Sequence, residues 1–411
     1  MKSKIKPILL SLCLIVVLGI FIRGISTSIP SDRITIYSGA VGGTFYQTAL
    51  HYREALTSLG FEVSIRPTDD ATKMLERVNA GEQPNSIGFM MGKSDETRYP
   101  NIRSLGFVGI QPLFLFYSSA YGRLSSLATL KGRDIVMPPK DSVATQMALS
   151  LLSLYDITPE NTNIVFLPFR RAVAAVRSGD AYAVFLMLGA EHPVIEELMQ
   201  DSELNVFSYT DTAGILKRLK NLTTVSIASG GYDVLRQIPP RPLELLAAQI
   251  EIIANQNLDK AAAYALLDTF KNVHYSFTLT QVDGAYPAFI GALTRPYEVV
   301  PEFAKAGTPW LYRTLPNIFA VLIDKYLIIG LAIFLLAEIY RVLRYLYELL
   351  ALTAEAIALS IIKHNLANEK AGKRTGLIGL IFTRWAGRVV KRKSLKQKAA
   401  DMLTDEPQKT R

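Results

Sequence analysis

The sequence predicts an α/β protein of two similar lobes joined by a hinge, set between an apolar leader and a C-terminal apolar helix with a basic tail. Three observations predict it. Short β-branched or aromatic runs alternate with helical patterns from Arg33 onward, the alternation restarts once, and the positive charge lies at the two ends. The chain has 411 residues and is 49% hydrophobic, enough for about two domains and too apolar for a disordered chain. Its net charge of +9 divides into 4 basic and 0 acidic residues over 1–30, 25 and 28 over 31–317, and 16 and 8 over 318–411. A mildly acidic middle lacks the field that nonspecific nucleic-acid binding needs, so nucleic acid is not an expected partner.

At the N-terminus Lys2, Lys4 and Lys6 precede an apolar run from Ile8 to Ile22, closed by Arg23 and Ser26-Thr27-Ser28. Residues 1–30 therefore read as a signal peptide or a retained signal anchor, with residue 31 onward exported in either case. Cys13, the only cysteine, follows Leu12 where a lipoprotein signal wants a small residue, so neither a lipid anchor nor a disulfide is expected.

Arg33 to Ser38 reads as a strand. Phe45, Ala49, Tyr52, Leu56 and Leu59 then recur at helical spacing before Gly60. Glu62 to Arg66 is a second strand, Ala71 to Ala80 a helix stopped by Gly81, and Ser86 to Met91 a third strand. After a strand at Phe114 to Ser118 the pattern restarts: strand Asp134 to Met137, helix Val143 to Tyr155, strand Asn163 to Leu167, helix Ala172 to Arg177, strand Tyr182 to Met187. Leu222 to Ile227 reads as one more strand, followed by helices around Pro242 to Ala254 and Lys260 to Lys271. If that strand returns to the first unit, the second is an insertion, with 31–119 and 216–312 as lobe I and 120–215 as lobe II.

Ile318 to Ala337 is apolar apart from Asp324 and Lys325, and twenty residues cover about 30 Å, one bilayer core. A transmembrane helix is expected over 318–340, with the lipid bilayer as a partner. The basic residues beyond it, among them Arg341, Arg344, Lys373, Arg374, Arg384 and Arg388, put the helical tail 341–411 in the cytoplasm and the α/β domain outside the inner membrane. Arg341, Glu348 and Glu355 stand seven residues apart in a Leu- and Ala-rich stretch, which fits a helix on the membrane or against another helix.

Catalytic signatures are missing from the sequence: there is no G-x-x-x-x-G-K-[ST], G-x-S-x-G or H-E-x-x-H. His51, His192, His274 and His364 stand far apart, so each reads as a surface or helix-packing residue, and no metal or cofactor is expected. The chain is not expected to be an enzyme.

Ser38, Gly39, Gly42, Gly43, Thr44, Phe45 and Tyr46 lie between the first strand and the first helix. Glycines there let backbone approach a ligand, and the helix start favours an anion; a tight turn that binds nothing fits the same residues. The spacing G-x-x-G-G is not that of the dinucleotide fingerprint. A second strand-to-helix turn, from Pro138 to Thr145, offers Ser142 and Thr145 as ligand contacts, with Ser142 or Asp141 also reading as a cap. Phe185 and Gly189 are placed to line a cleft between lobes, Phe185 alternatively filling its lobe, and Arg170 and Arg171 read as a solvated helix face.

The segments ITIYSGAVGGTFYQTALHYREAL, RPTDDATKMLERVNAGE with SIGFMM, LATLKGRDIVMPPKDSVAT and AVRSGDAYAVFLMLGAEHPVIEEL together resemble the TAXI family of TRAP-transporter solute receptors, from about Arg33 to about Ile318. The resemblance implies a periplasmic type II binding-protein fold that closes on a small organic anion or amino acid and delivers it to a TRAP-type permease. It completes the candidate ligand-binding set with Thr68 and Gln111. Where the family usually has glycine and a small hydroxyl residue after that threonine, this chain has Asp69 and Asp70, and the Pro139 to Asp141 stretch also departs. These departures leave the ligand class open. A membrane-anchored sensory or scaffold receptor without transport coupling is the alternative function.

Overall fold

The computed structural model describes residues 30–68, 70–370, 381–382, 384–389 and 391. The expected leader, apart from residue 30, lies outside the described residues, as do Asp69 and most of the tail beyond 370. The elements in chain order are β1 (Arg33–Ser38), α1 (Thr44–Ser58), β2 (Glu62–Pro67), α2 (Ala71–Ala80), β3 (Ser86–Met91), β4 (Ile102–Ser118), β5 (Ile135–Met137), α3 (Val143–Ser153), β6 (Ile164–Phe166), α4 (Phe169–Arg177) and β7 (Ala183–Met187). They continue with α5 (Pro193–Gln200), β8 (Leu204–Val206), α6 (Thr212–Arg218), β9 (Thr223–Ile227), β10 (Leu243–Asn255), α7 (Lys260–His274), α8 (Val300–Ala306), α9 (Trp310–Thr314) and α10 (Asn317–Lys370).

The strands form one sheet in the order β2-β1-β3-β10-β4-β7-β5-β6, with β8 on β4 and β9 on β10. This order contains one pattern twice. β1 pairs in parallel with β2 and β3, and β3 then meets β10 antiparallel. In the other half β5 pairs in parallel with β6 and β7, and β7 then meets β4 antiparallel. The two halves share the long β4 and β10, which pair antiparallel along their length. Two βαβαβ units joined through a pair of shared crossing strands give the two-lobed type II binding-protein fold.

Among the described residues the buried apolar side chains form three clusters, a smaller one around Tyr37, Met74, Val78 and Met90 and two larger cores that divide along that line. One gathers Ile34, Ile36, Leu56, Phe89, Val108, Ile252 and Phe270; the other gathers Leu113 to Tyr117, Met137, Leu151, Val184, Ile227 and Leu245. The chain passes from one core to the other inside strands: between Val108 and Leu113 in β4, and between Ala248 and Ile250 in β10. The β4–β10 register shifts between Ile250 and Glu251 and again between Ile252 and Ile253, irregularities that bend strands where the cores part.

Three segments differ from the sequence reading. Pro242 to Ala254, expected as a helix, is the strand β10 from Leu243. Its Leu, Ala, Glu and Gln are strong helix formers, yet almost every position is buried, and a continuous apolar run of this kind fits a central strand flanked on both sides. Leu222 to Ile227, expected to return to the first unit, pairs with Leu243 to Ala247 of β10, and its Leu222, Val225 and Ile227 pack in the second core. β4 begins at Ile102 rather than Phe114; Gly106 and Gly109 interrupt the apolar alternation that marks a strand and hide its first half in the sequence.

α10 is a separate matter of length. Its 54 residues extend about 81 Å, more than twice a bilayer core, and it is long and apolar enough to cross a membrane. The helix continues unbroken past Ala337 through Lys370.

Candidate ligand cleft

A cleft of about 560 Å³ opens where the two cores meet, lined from both halves of the sheet. The first-half wall begins with the turn after β1. Gly42 has φ +85°, a left-handed conformation that suits glycine, and this turn aims the start of α1 at the cleft. Gly43 is the N-cap of α1 and supplies no capping side chain, so the first N–H groups of that helix have no side-chain acceptor. Phe45 stacks on Phe89 with ring centroids 4.8 Å apart and 8° between planes, making an apolar floor.

The second-half wall holds the starts of α3 and α4. Ser142 caps α3 by accepting from the Thr145 N–H at 3.3 Å. α4 begins after Pro168, which has no side chain able to cap it. Arg170, in the first turn of α4, reaches toward the opposite wall: a Cβ placed on Gly42 would lie 3.7 Å from its Nη2. Among the described residues Arg170 is the only charged side chain lining the cleft.

Hydrogen bonds cross between the walls. The Gly189 N–H donates to Thr44 Oγ1 at 2.8 Å. His192 Nε2 donates to the Gly42 carbonyl at 2.8 Å, while its Nδ1 accepts from the Val194 N–H at 3.2 Å. Both bonds require the tautomer with the proton on Nε2. The Glu191 carboxylate also accepts the Leu279 N–H. One short loop after β7 thus holds the glycine turn and the segment beyond α7 together.

Of the residues selected from sequence, Ser38, Gly39, Gly43, Thr44, Phe45, Thr68, Gln111 and Ser142 line the cleft. Gly42 adjoins it through its carbonyl bond to His192, and Gly189 reaches it through the bond to Thr44. Three do not line the cleft. Phe185 is fully buried in the second core, since β7 is covered on both faces. Thr145 is buried with its hydroxyl donating to the Pro138 carbonyl at 2.7 Å, so it closes its own turn. Tyr46 lies on α1 away from the lining. Sequence reasoning missed Arg170, read as solvated, and His192, read as a packing residue; the signal for both was their place immediately after a strand-to-helix turn.

Asp70 acts on its own helix. Its Oδ1 accepts from the Lys73 N–H at 2.9 Å and its Oδ2 pairs with Lys73 Nζ at 3.3 Å. The backbone bond from Lys73 is the main cause that holds its carboxyl below the usual range, with the Lys73 ammonium adding to it. Gln111 offers the opposite case. Its Nε2 donates to the Met187 carbonyl at 2.5 Å, and its Oε1 is buried with no hydrogen-bond partner among the described residues.

No family model matches the sequence, and no curated protein matches it. Solved structures are similar in fold. A protein from Bordetella bronchiseptica RB50 shares 18% identity over 59% of this chain and 70% of its own, with a TM-score of 0.39. The GluR0 ligand-binding core in complex with L-glutamate shares 12% over 60% and 93%, with a TM-score of 0.39. The alkanesulfonate-binding protein SsuA from Xanthomonas axonopodis pv. citri, bound to MOPS, shares 13% over 59% and 73%, with a TM-score of 0.38. These likenesses concern fold alone. What the chain itself carries is a two-lobed type II binding-protein domain with a cleft between its lobes, followed by a helix long and apolar enough to span a membrane.

Proposed function

We propose that the chain is a membrane-tethered extracytoplasmic solute receptor of the TAXI type, which binds a small organic acid or amino acid noncovalently between its lobes and delivers it to a TRAP-type permease. The observation that carries this reading is the pair of bonds across the cleft, Thr44 to Gly189 and Gly42 to His192, which join an uncapped helix start on one wall to the loop after β7 on the other. Lobes that meet over a cavity through a few hydrogen bonds, and that are joined by two continuous strands, can open and close as a hinge. The proposed hinge lies at 109–112 in β4 and near Gln249 in β10. α10 tethers the receptor, with its apolar start in the bilayer and the basic tail inside.

A membrane-anchored sensory or scaffold receptor without transport coupling is the second reading, favoured by the unbroken course of α10 over 54 residues, far beyond one bilayer. Topology is tested first: a reporter fused after Arg411 is expected to be active only in the cytoplasm, and one inserted near Gly122 only outside. Both on the same side would end the tethered-receptor reading. Coupling is tested by reconstituting the chain with a sodium-driven TRAP-type permease. Solute uptake that needs this chain supports delivery, and uptake indifferent to it supports the sensory reading.

A further inference from the structure

The ligand class can be narrowed from the cleft itself, resting on the receptor reading above. We propose that the solute is an elongated monocarboxylate with an apolar body and a hydrogen-bond donor, not a dicarboxylate. Charge is the first argument. Arg170 is the only charged side chain lining the cleft among the described residues, and its guanidinium lies beside Gly42, next to the uncapped start of α1. Arg170 stands in the first turn of α4, itself uncapped, and reaches the start of α1. The one cation and both open helix starts thus converge on one anion position, and a guanidinium matches a carboxylate with two parallel hydrogen bonds.

A second carboxylate would have no such partner. The remaining wall carries only neutral polar groups, the hydroxyls of Tyr37, Ser38, Thr44, Thr68 and Ser142 and the Gln111 amide. They are set among the apolar Phe45, Met74, Phe89, Met91, Phe169 and Leu186. A second charge placed there meets no cation and loses its water against the apolar side chains, where an alkyl or aryl body is favoured. The cavity size agrees: 560 Å³ would hold about 19 waters at roughly 30 Å³ each, more room than a short diacid fills.

The donor follows from Gln111. Its Nε2 bond to the Met187 carbonyl fixes which way the amide faces, because the reverse orientation would set two carbonyl oxygens against each other. That leaves Oε1 as a buried acceptor without a partner, on a residue that lines the cleft. Oε1 is closed off from solvent in this structure, so a ligand hydroxyl or ammonium group that reaches it as the lobes move would remove the cost of that unmade bond.

Calorimetry on the full-length chain in detergent micelles tests this with phenyllactate, phenylpropionate, L-glutamate and 2-oxoglutarate as probes. Phenyllactate is expected to bind at least about tenfold more tightly than phenylpropionate, which lacks the hydroxyl, and than either diacid. Arg170→Gln should lower its affinity about tenfold or more, with Arg170→Lys restoring part of the loss and unchanged melting showing that both variants fold. Tighter binding of the diacids would overturn the monoacid class while leaving the receptor reading in place. Equal affinity for phenyllactate and phenylpropionate, or no effect of Arg170→Gln, would overturn the roles of Gln111 and Arg170. Silence from all four acids would overturn both this proposal and the receptor reading on which it rests.

Discussion

Four helix starts face the cleft, and they form two contrasting pairs. α2 and α3 are closed by their own side chains: Asp70 accepts from the Lys73 N–H, and Ser142 accepts from the Thr145 N–H. α1 and α4 start after Gly43 and Pro168, and neither has a side-chain cap. A capped start has used its free N–H groups to stabilise itself, while an uncapped one keeps its positive end open to an anion. The uncapped pair is also the pair that Arg170 brings near each other, through its approach to Gly42. α1 makes up for the missing cap by packing further along: Ala49, Tyr52 and Leu56 are buried, and the Tyr52 hydroxyl shares a 2.6 Å hydrogen bond with His274 Nε2 of α7. The open end of α1 is thus held in place from its far end.

The strongest way to sharpen that contrast is to loosen the far end. Burial lowers the His274 pKa to about 4, with His51 nearby adding a smaller push in the same direction. The unfolded chain has an ordinary histidine near 6.5, so it binds the proton first as pH falls. The neutral ring therefore contributes stability that is complete above about pH 6.5 and lost progressively toward pH 4, on the order of 3 kcal/mol in all. Denaturation of the full-length chain at pH 7.5 and pH 4.5 is expected to show this loss, and His274→Gln should flatten the difference. Ligand affinity should fall along with stability in the parent protein. A pH slope that survives His274→Gln would show that α1 is not anchored there.

The second way is to convert an open start into a capped one. Gly43→Asp would place at α1 the same carboxylate cap that Asp70 gives α2. Gly43 has φ −81° and ψ 168°, so a side chain is allowed by the backbone, and its Cβ would meet only the Ala40 carbonyl at 3.2 Å. Stability should change by less than about 1 kcal/mol, because glycine is itself a tolerable N-cap. Affinity for an acid should fall by about tenfold or more, since the new carboxylate takes the anion's place and repels it. An acid that binds Gly43→Asp as tightly as the parent would mean that α1 does not hold the ligand.

The contrast between the helix starts was partly legible in the sequence. Ser142 stands directly before a helical pattern and reads as a cap, and the glycine turn reads as an open helix start, because these signals are local. Arg170 was not legible: it begins an amphipathic helix, and the residue that gives it a role, Gly42, is 128 positions away. His192 escaped for the same reason, since its partner is the carbonyl of Gly42. The repeated βαβαβ pattern gave the first lobe strand by strand. β10 was misread because burial on both sides, which only the assembled sheet creates, overrides the helix preference of Leu-Glu-Leu-Leu-Ala-Ala.

The smallest effect is the one on which the comparison finally depends. If Asp70 and Ser142 act only on their own helices, removing either should cost stability and leave ligand affinity alone. Asp70→Ala deletes the bond from the Lys73 N–H, and Ser142→Ala deletes the bond from the Thr145 N–H, each worth about 1 kcal/mol. For Asp70 the loss should depend on pH with a fixed sign. Its folded carboxyl titrates below the unfolded value near 3.9, so its contribution is present above that value and disappears as pH falls below it. Melting curves of both variants should therefore shift down by a few degrees at neutral pH, with the Asp70→Ala difference closing in acid. Calorimetry with the tightest-binding acid should return the parent affinity within about twofold for both, because each lost bond is made to its own helix. A tenfold drop in affinity for Ser142→Ala at unchanged stability would move Ser142 from cap to ligand contact, and the anion would then have to lie between α1 and α3 instead of between α1 and α4.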